Sequence, residues 1–163
     1  MKSSFADDVV DLLPNLRRYA FVLSRSLDVA DDLVQQTCEK AFANRGSYAR
    51  GTNLSAWLLR IMRNTWIDRV RRDRTRGESI DIADRPDAIF TDGARDTETH
   101  LMLGTVAHAL QDLPEDQREI IVMICVEELS YKEAAATLGI PIGTVMSRLA
   151  RARTNLASRL DLN

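Results

Sequence analysis

Apolar side chains recur along this chain at helical spacing. Val9, Leu12, Leu13, Leu16, Tyr19, Ala20 and Leu23 define a helix from about Phe5 to Ser24. Pro14 interrupts that pattern and either kinks the helix or splits it, since proline lacks a backbone donor. Asp28 is expected to cap a second helix, from Val29 to about Ala43. There Leu33, Thr37, Ala41 and Phe42 turn inward, and Asp31, Asp32, Gln35, Gln36 and Glu39 turn outward. Asn44–Thr52 reads as a loop with two glycines, two arginines and Tyr48. Asn53 then caps a long helix through Leu54, Trp57, Leu58, Ile61, Ile67 and Val70, ending in the basic run RVRRDRTR at 69–76.

Periodicity fails over 77–97, an acidic stretch containing Pro86 and Gly93, which predicts a flexible linker. It resumes at Leu103, Val106, Ala107 and Leu110 and breaks again at Leu113-Pro114. Pro114 suits the first position of a further helix, whose acids Glu115 and Asp116 complement the positive end of the helix dipole. Ile120, Ile121, Ile124 and Cys125 are expected on its buried face.

The segment SYKEAAATLGIPIGTVMSRLARAR, residues 130–153, predicts two helices joined by a tight turn. Ser130 with Glu133 forms a capping box. Gly139 stands where the chain leaves the first helix through a left-handed conformation that glycine adopts cheaply. Pro141 cannot continue that helix, and Thr144 is the expected N-cap of the next. Val145, Leu149, Ala152, Leu156 and Leu160 then line one side. Ser147, Arg148, Arg151 and Arg153 line the other, as suits a helix lying in a DNA major groove. The bland alternative is a helical hairpin with a solvated basic face.

Composition narrows the picture. Seven Gly and four Pro among 163 residues favour long helices over a turn-rich β fold. The expected architecture is all-α: two small helical domains, 1–76 and 101–163, joined by a flexible acidic linker at 77–100, with the helix-turn-helix in the second. Domains of roughly 65–75 residues bury only about 60% of their unfolded surface and are marginal alone. No apolar run reaches the roughly 20 residues of a membrane span, and the N-terminus carries acids where a signal peptide needs a basic start. A cytoplasmic protein without membrane insertion is expected. Cys38 and Cys125 fit small buried thiols. His100 and His108 have no partner at zinc-ligand spacing, so neither metal nor cofactor is expected.

Charge is unevenly distributed behind a net of −2. Residues 45–76 hold nine Arg against two Asp, residues 77–128 three Arg against thirteen acids, and residues 129–163 five basic against two acidic side chains. Two basic blocks separated by an acidic one suit a soluble protein that touches nucleic acid twice. No nucleophile–base set or phosphate-binding glycine loop appears, so no enzyme is expected. Arg60, Arg63, Asn64, Arg71 and Arg72 mix charge with an amide on the long helix. Trp57 is spaced as core, whereas Trp66 fits core or base stacking equally.

The runs VADDLVQQTCEKAF at 29–42, NLSAWLLRIMRNTWIDRVRR at 53–72 and LPEDQREIIVMICVEELSYKEAAATLGIPIGTVMSRLARAR at 113–153 resemble the extracytoplasmic-function sigma factors, the two-domain members of the bacterial sigma-70 family. The resemblance covers nearly the whole chain. It implies an alternative sigma factor that directs promoter-specific initiation with the RNA polymerase core, through the β′ clamp helices and the β subunit, under an anti-sigma factor. By motif, Asp31, Asp32, Leu33, Gln35 and Gln36 match the helix that docks on the clamp helices. Tyr48, Asn53, Arg60, Arg63, Asn64, Arg71 and Arg72 match the reader of the −10 element, whose loop holds an extruded base; Tyr48 either stacks on that base or anchors the loop. Thr144, Met146, Ser147, Arg148, Arg151 and Arg153 match the −35 reader. The slot of Met146 is often basic in the family, so one base contact is lost or an apolar contact to a thymine methyl replaces it. The competing reading is a stand-alone helix-turn-helix regulator, which needs a receiver or ligand domain that residues 1–76 do not pattern.

Overall fold

The computed structural model describes residues 2–77 and 97–161, with side chains of the second segment described from residue 104. Among the described residues there are eight α-helices and no strand, as an all-α fold requires. They form two compact units, one on either side of the gap. Most of the expected linker lies outside the described residues, and the helix that opens the second unit begins at Thr97, within the stretch expected as linker.

The first unit contains α1 (Phe5–Asp11), α2 (Leu13–Ser24), α3 (Leu27–Ala43), a 3₁₀ turn (Arg45–Ser47) and α4 (Leu54–Arg76). Pro14 splits the first helical pattern in two. Leu12 (φ −94°, ψ 0°) ends α1 and starts α2, and Pro14 falls in the first turn of α2, where its missing N–H costs nothing. Ser4 and Asp7 close a capping box on α1, and the Ser4 backbone N–H, followed by its hydroxyl, holds the Asp7 carboxyl below its usual range.

Asp28 is not the cap of α3. The helix starts two residues earlier than expected, with Ser26 as N-cap accepting from the Val29 backbone N–H at 3.3 Å. Arg25, in the left-handed region at φ 58°, delivers Ser26 in the extended conformation that an N-cap needs. The pattern of apolar residues did not mark this start, because Leu27 lies on the border of the core.

Helices α2, α3 and α4 pack on one another. Leu16, Tyr19, Phe21, Leu33, Leu58, Leu59 and Met62 are at most 1% exposed at their centre. Trp66 is buried with them, which assigns it to the core. Phe42, expected inward, sits at the surface and meets the edge of the Phe5 ring with centroids 5.4 Å apart. Thr37 and Thr65, buried among apolar neighbours, donate to the Leu33 and Ile61 carbonyls at 2.7 and 2.8 Å. Each of these two hydroxyls therefore has an acceptor.

The second unit contains α5 (Thr97–Gln111), α6 (Glu115–Ile121), a π-helical turn (Val122–Val126), α7 (Tyr131–Leu138) and α8 (Ile142–Arg159). Pro114 precedes α6, and its carbonyl accepts from the Gln117 and Arg118 backbone N–H groups. In the π turn the Glu127 N–H reaches back five residues to the Val122 carbonyl at 2.8 Å. That wider turn shifts the apolar stripe. Val122 and Met123 are fully buried, Ile124 is half-buried, and Cys125, expected in the core, is exposed. Cys38 is half-buried, and burial pushes its thiol up.

The Ser130–Glu133 capping box is present with both bonds at 3.0 Å, and Gly139 leaves α7 at φ 67°. Thr144, however, is not the cap of α8. Pro141 occupies that position, and its carbonyl already accepts from the Thr144 and Val145 N–H groups at 3.0 and 3.2 Å. The fixed φ of proline sets the chain for the helix immediately, so the turn is shorter than expected. Ala134 and Ala135 let α7 approach α8 closely, and Val145, Leu149 and Ala152 complete the core with Ile120 and Met123.

Ser26→Ala is expected to lower stability by about 1 kcal/mol, the usual worth of an N-cap. Asp28→Ala is expected to cost only about 0.3 kcal/mol, since Asp28 merely favours the helix dipole from an exposed first-turn position. Urea denaturation of both variants checks the order; a larger loss for Asp28→Ala would return the cap to Asp28.

Candidate nucleic-acid interfaces

On α4 the buried stripe of Leu58, Leu59, Met62 and Trp66 fixes what the other side presents. At about 100° per residue, Arg60, Asn64 and Arg71 fall on one line opposite that stripe, and Arg63 and Arg72 flank it on opposite sides. Arg60, Asn64, Arg71 and Arg72 are exposed and Arg63 is half-buried. Asn53 is first a structural residue: its Oδ1 accepts from the Ala56 N–H at 3.2 Å and caps the helix, as expected.

The loop before α4 is held by aromatic packing. The Tyr48 ring lies 5.3 Å from Trp57 and 6.1 Å from Phe5, and Phe5 lies 6.3 Å from Trp57. The Tyr48 hydroxyl donates to the Thr52 carbonyl at 2.7 Å. Tyr48 thus anchors the loop. A cavity of about 550 Å³ opens beside it, walled by Phe5 and Tyr48, with Lys2, Arg45 and Arg50 as cations and Asp8 as the acid among its lining residues. Phe5, Lys2 and Asp8 were not legible as site residues, because an N-terminal helix meets this loop only through tertiary packing.

On α3, Asp31, Asp32 and Gln35 are exposed and Gln36 is half-buried. Asp31 lies 3.7 Å from the Arg17 guanidinium of α2, Asp32 3.9 Å from Arg69 of α4, and Gln35 donates to Glu39 at 3.4 Å. Leu33 does not belong with them. It is 0% exposed, so its side chain holds α3 to the core and offers nothing to a partner; Asp31, Asp32 and Gln35 point out because helical rotation puts them on the other face.

On α8 the six expected readers divide. Ser147 and Arg151 point away from the core, and Thr144 and Arg148 lie along one edge beside them. Met146, 53% exposed, shares the opposite edge with Arg153, two turns further on. Arg148 is paired, its Nε lying 3.7 Å from Asp116 of α6. No group of His, Cys, Asp and Glu suited to a metal ion occurs among the described residues. No helix among them is long and apolar enough to cross a membrane.

A helical unit with an arginine-lined helix and a second unit carrying a helix-turn-helix define a protein of the helix-turn-helix transcription class. Comparison with known proteins narrows the class. The family Sigma-70 region 2 matches residues 9–76, and Sigma-70, region 4 matches residues 103–156. The ECF RNA polymerase sigma factor EcfG of Rhodopseudomonas palustris (strain TIE-1) is 38% identical over 98% of this chain and 87% of its own length. Among solved structures, the sigma factor RpoE in complex with the anti-sigma factor NepR from Bartonella quintana is 38% identical, covers 98% of both chains and superposes with a TM-score of 0.80. CnrH in complex with the cytosolic domain of CnrY is 27% identical, with a TM-score of 0.67 over 98% of this chain and 88% of CnrH. The chain belongs to the extracytoplasmic-function sigma factors of the sigma-70 family.

Because the Tyr48 hydroxyl adds one hydrogen bond to the ring packing that holds the loop, Tyr48→Phe is expected to speed amide hydrogen exchange over residues 49–52 severalfold. One neutral hydrogen bond contributes about 1 kcal/mol, so global stability should barely move. Unchanged exchange in the loop would show that ring packing alone anchors it.

Proposed function

We propose that this sigma factor binds the RNA polymerase core through the exposed face of α3 and places α4 and α8 on the two promoter elements. The observation that carries this reading is the separation of charge by face within the first unit: carboxylates and amides on α3, arginines and an amide on the outer line of α4. Asp31, Asp32, Gln35 and Gln36 then meet the basic β′ clamp helices, where charge complementarity sets orientation and association rate. The Tyr48 loop and the outer line of α4 meet the opened −10 strand. Arg60, Asn64 and Arg71 lie where one strand can touch all three, with Arg63 and Arg72 as phosphate contacts at the flanks. An extruded base fits beside Tyr48, at an unstacking cost of a few kcal/mol that a marginal domain does not supply alone.

In the second unit, Ser147, Arg148 and Arg151 face the −35 major groove, with Thr144 at the helix start. Met146 touches the far edge of the groove, where a thymine methyl suits it, and Arg153 meets phosphate. Control by an anti-sigma factor is supported by RpoE and CnrH, whose structures contain NepR and the cytosolic domain of CnrY. The protein acts in the bacterial cytoplasm as an initiation factor, with the chemistry left to the polymerase.

Asp31→Arg combined with Asp32→Arg is expected to weaken core binding at least tenfold with unchanged thermal stability. Both acids are about two-thirds exposed, although Arg69 is half-buried, and ion pairs open to water contribute about 0–1 kcal/mol to folding. Competition for core against the unmodified protein measures this; equal competition would remove α3 from the interface.

Free protein is expected to bind a duplex promoter weakly and with little sequence preference, and tight specific binding is expected with core. Core fixes the spacing of the units and raises the effective concentration of α8 at its element. Titration of one promoter and a scrambled duplex at a single salt concentration tests it. Equal specificity with and without core would instead favour a stand-alone regulator.

A further inference from the structure

The end of α6 that faces α8 meets it at two consecutive residues, one through a hydrogen bond and one through a longer ion pair. Asp116 Oδ1 accepts from the Gln117 backbone N–H at 3.0 Å, which orients the carboxylate, and Oδ2 lies 3.7 Å from Arg148 Nε. Gln117 Oε1 accepts from Asn155 Nδ2 at 2.7 Å. Arg148 and Asn155 are two turns apart and share one edge of α8. Below them Arg159 donates to the Asp112 carbonyl at 2.8 Å, so this edge is tied to the preceding segment along most of its length.

We infer that Asp116 is a positioning residue for base readout by Arg148. This rests on the reading of α8 as the −35 helix. The ion pair engages Arg148 through Nε, on the side of the guanidinium, and so leaves the terminal Nη1 and Nη2 pair available for bidentate contact with guanine O6 and N7. Arg148 stands at the edge of the groove-facing surface, where an unrestrained side chain ranges between the groove and the flank of α6. A carboxylate fixed by its own backbone narrows that range before DNA arrives, so less rotamer freedom is lost on binding. The pair is part-exposed, with side-chain exposures of 28% for Arg148 and 55% for Asp116, and pairs of that kind stabilise folds little. Its effect therefore falls on recognition.

The test uses holoenzyme built with the full chain and a promoter library randomised across the −35 element, read as relative initiation for each base at each position. Arg148→Ala is expected to lower preference for guanine at one position, by roughly 5- to 150-fold if it makes a bidentate contact. Asp116→Ala is expected to lower preference at that same position severalfold, with core affinity and melting temperature unchanged. In the Arg148→Ala background it is expected to have no further effect there. If Asp116→Ala alters stability, Asp116→Asn serves in its place, since it keeps an acceptor for the Gln117 N–H and loses the charge. A uniform change over all sequences, or an effect on preference that persists without Arg148, overturns the inference. Unchanged preference in Arg148→Ala itself overturns the groove reading instead, so the two failures are distinguishable.

Discussion

Burial of one apolar stripe on each helix is the constraint from which the rest of this structure follows. A helix has one rotational degree of freedom about its axis, and the core fixes it. With Leu58, Leu59 and Met62 excluded from solvent, Arg60, Asn64 and Arg71 must point out. With Val145, Leu149 and Ala152 excluded, Ser147 and Arg151 must point out. Complete burial of one leucine or methionine contributes about 1.5–3 kcal/mol, while an exposed arginine contributes almost nothing to the fold. Placement of the outward arginines proposed to meet DNA is therefore set by residues buried in the core. Leu33 shows the same principle on α3: it belongs to the interface motif in sequence and to the core in space.

Much of this was legible in the sequence because helical period and capping chemistry are local. The Ser130–Glu133 box, Gly139, the Asn53 cap and the split at Pro14 each depend on residues within a turn of one another. The errors share a different origin. Asp28 and Thr144 are good cap residues, yet Ser26 and Pro141 hold the caps because Arg25 and Pro141 set the backbone two or three residues earlier. Cys125 leaves the core because a single π turn changes the period, and nothing in the run Val122–Val126 distinguishes five residues per bond from four. The candidate sites were less legible than the fold. Helical period predicts the outward placement of Arg60, Asn64, Ser147 and Arg151, but pairings across elements, such as Phe5 with Tyr48 or Asp116 with Arg148, have no sequence period.

The two units use aromatic and polar contacts differently around their functional faces. In the first, the rings of Phe5, Tyr48 and Trp57 pack around a loop also held by the Tyr48 and Thr52 hydroxyls and by short-range backbone bonds. Rings of this kind add about 0.5–1.5 kcal/mol per pair beyond their buried area, enough to bias a loop without freezing it. That suits the −10 role proposed for this surface, in which it admits an unstacked base. In the second, side-chain bonds from Asn155 and Arg159 fasten the recognition helix to α6 and to Asp112. A helix fastened in this way keeps a fixed orientation, which suits the −35 role proposed for it.

The length and exposure of the polar contacts separate those that build the structure from those that can be exchanged. Asn155 and Gln117 meet at 2.7 Å, as in a fully formed hydrogen bond, and Asn155 is half-buried. The pairs of Asp31 with Arg17 and Asp32 with Arg69, at 3.7 and 3.9 Å, are longer than the roughly 2.7–2.9 Å of a strong charge-assisted bond. Both acids are about two-thirds exposed. Water already screens them, so a basic partner displaces Arg17 and Arg69 at small cost. The arginines also keep two adjacent carboxylates from repelling one another while α3 is unoccupied. In the docking proposed for α3, each acid would exchange one cation for another, and the net gain would come from the geometry and desolvation of the new interface rather than from charge alone. On that reading the acids of α3 set orientation, and buried Leu33 sets the position from which they act.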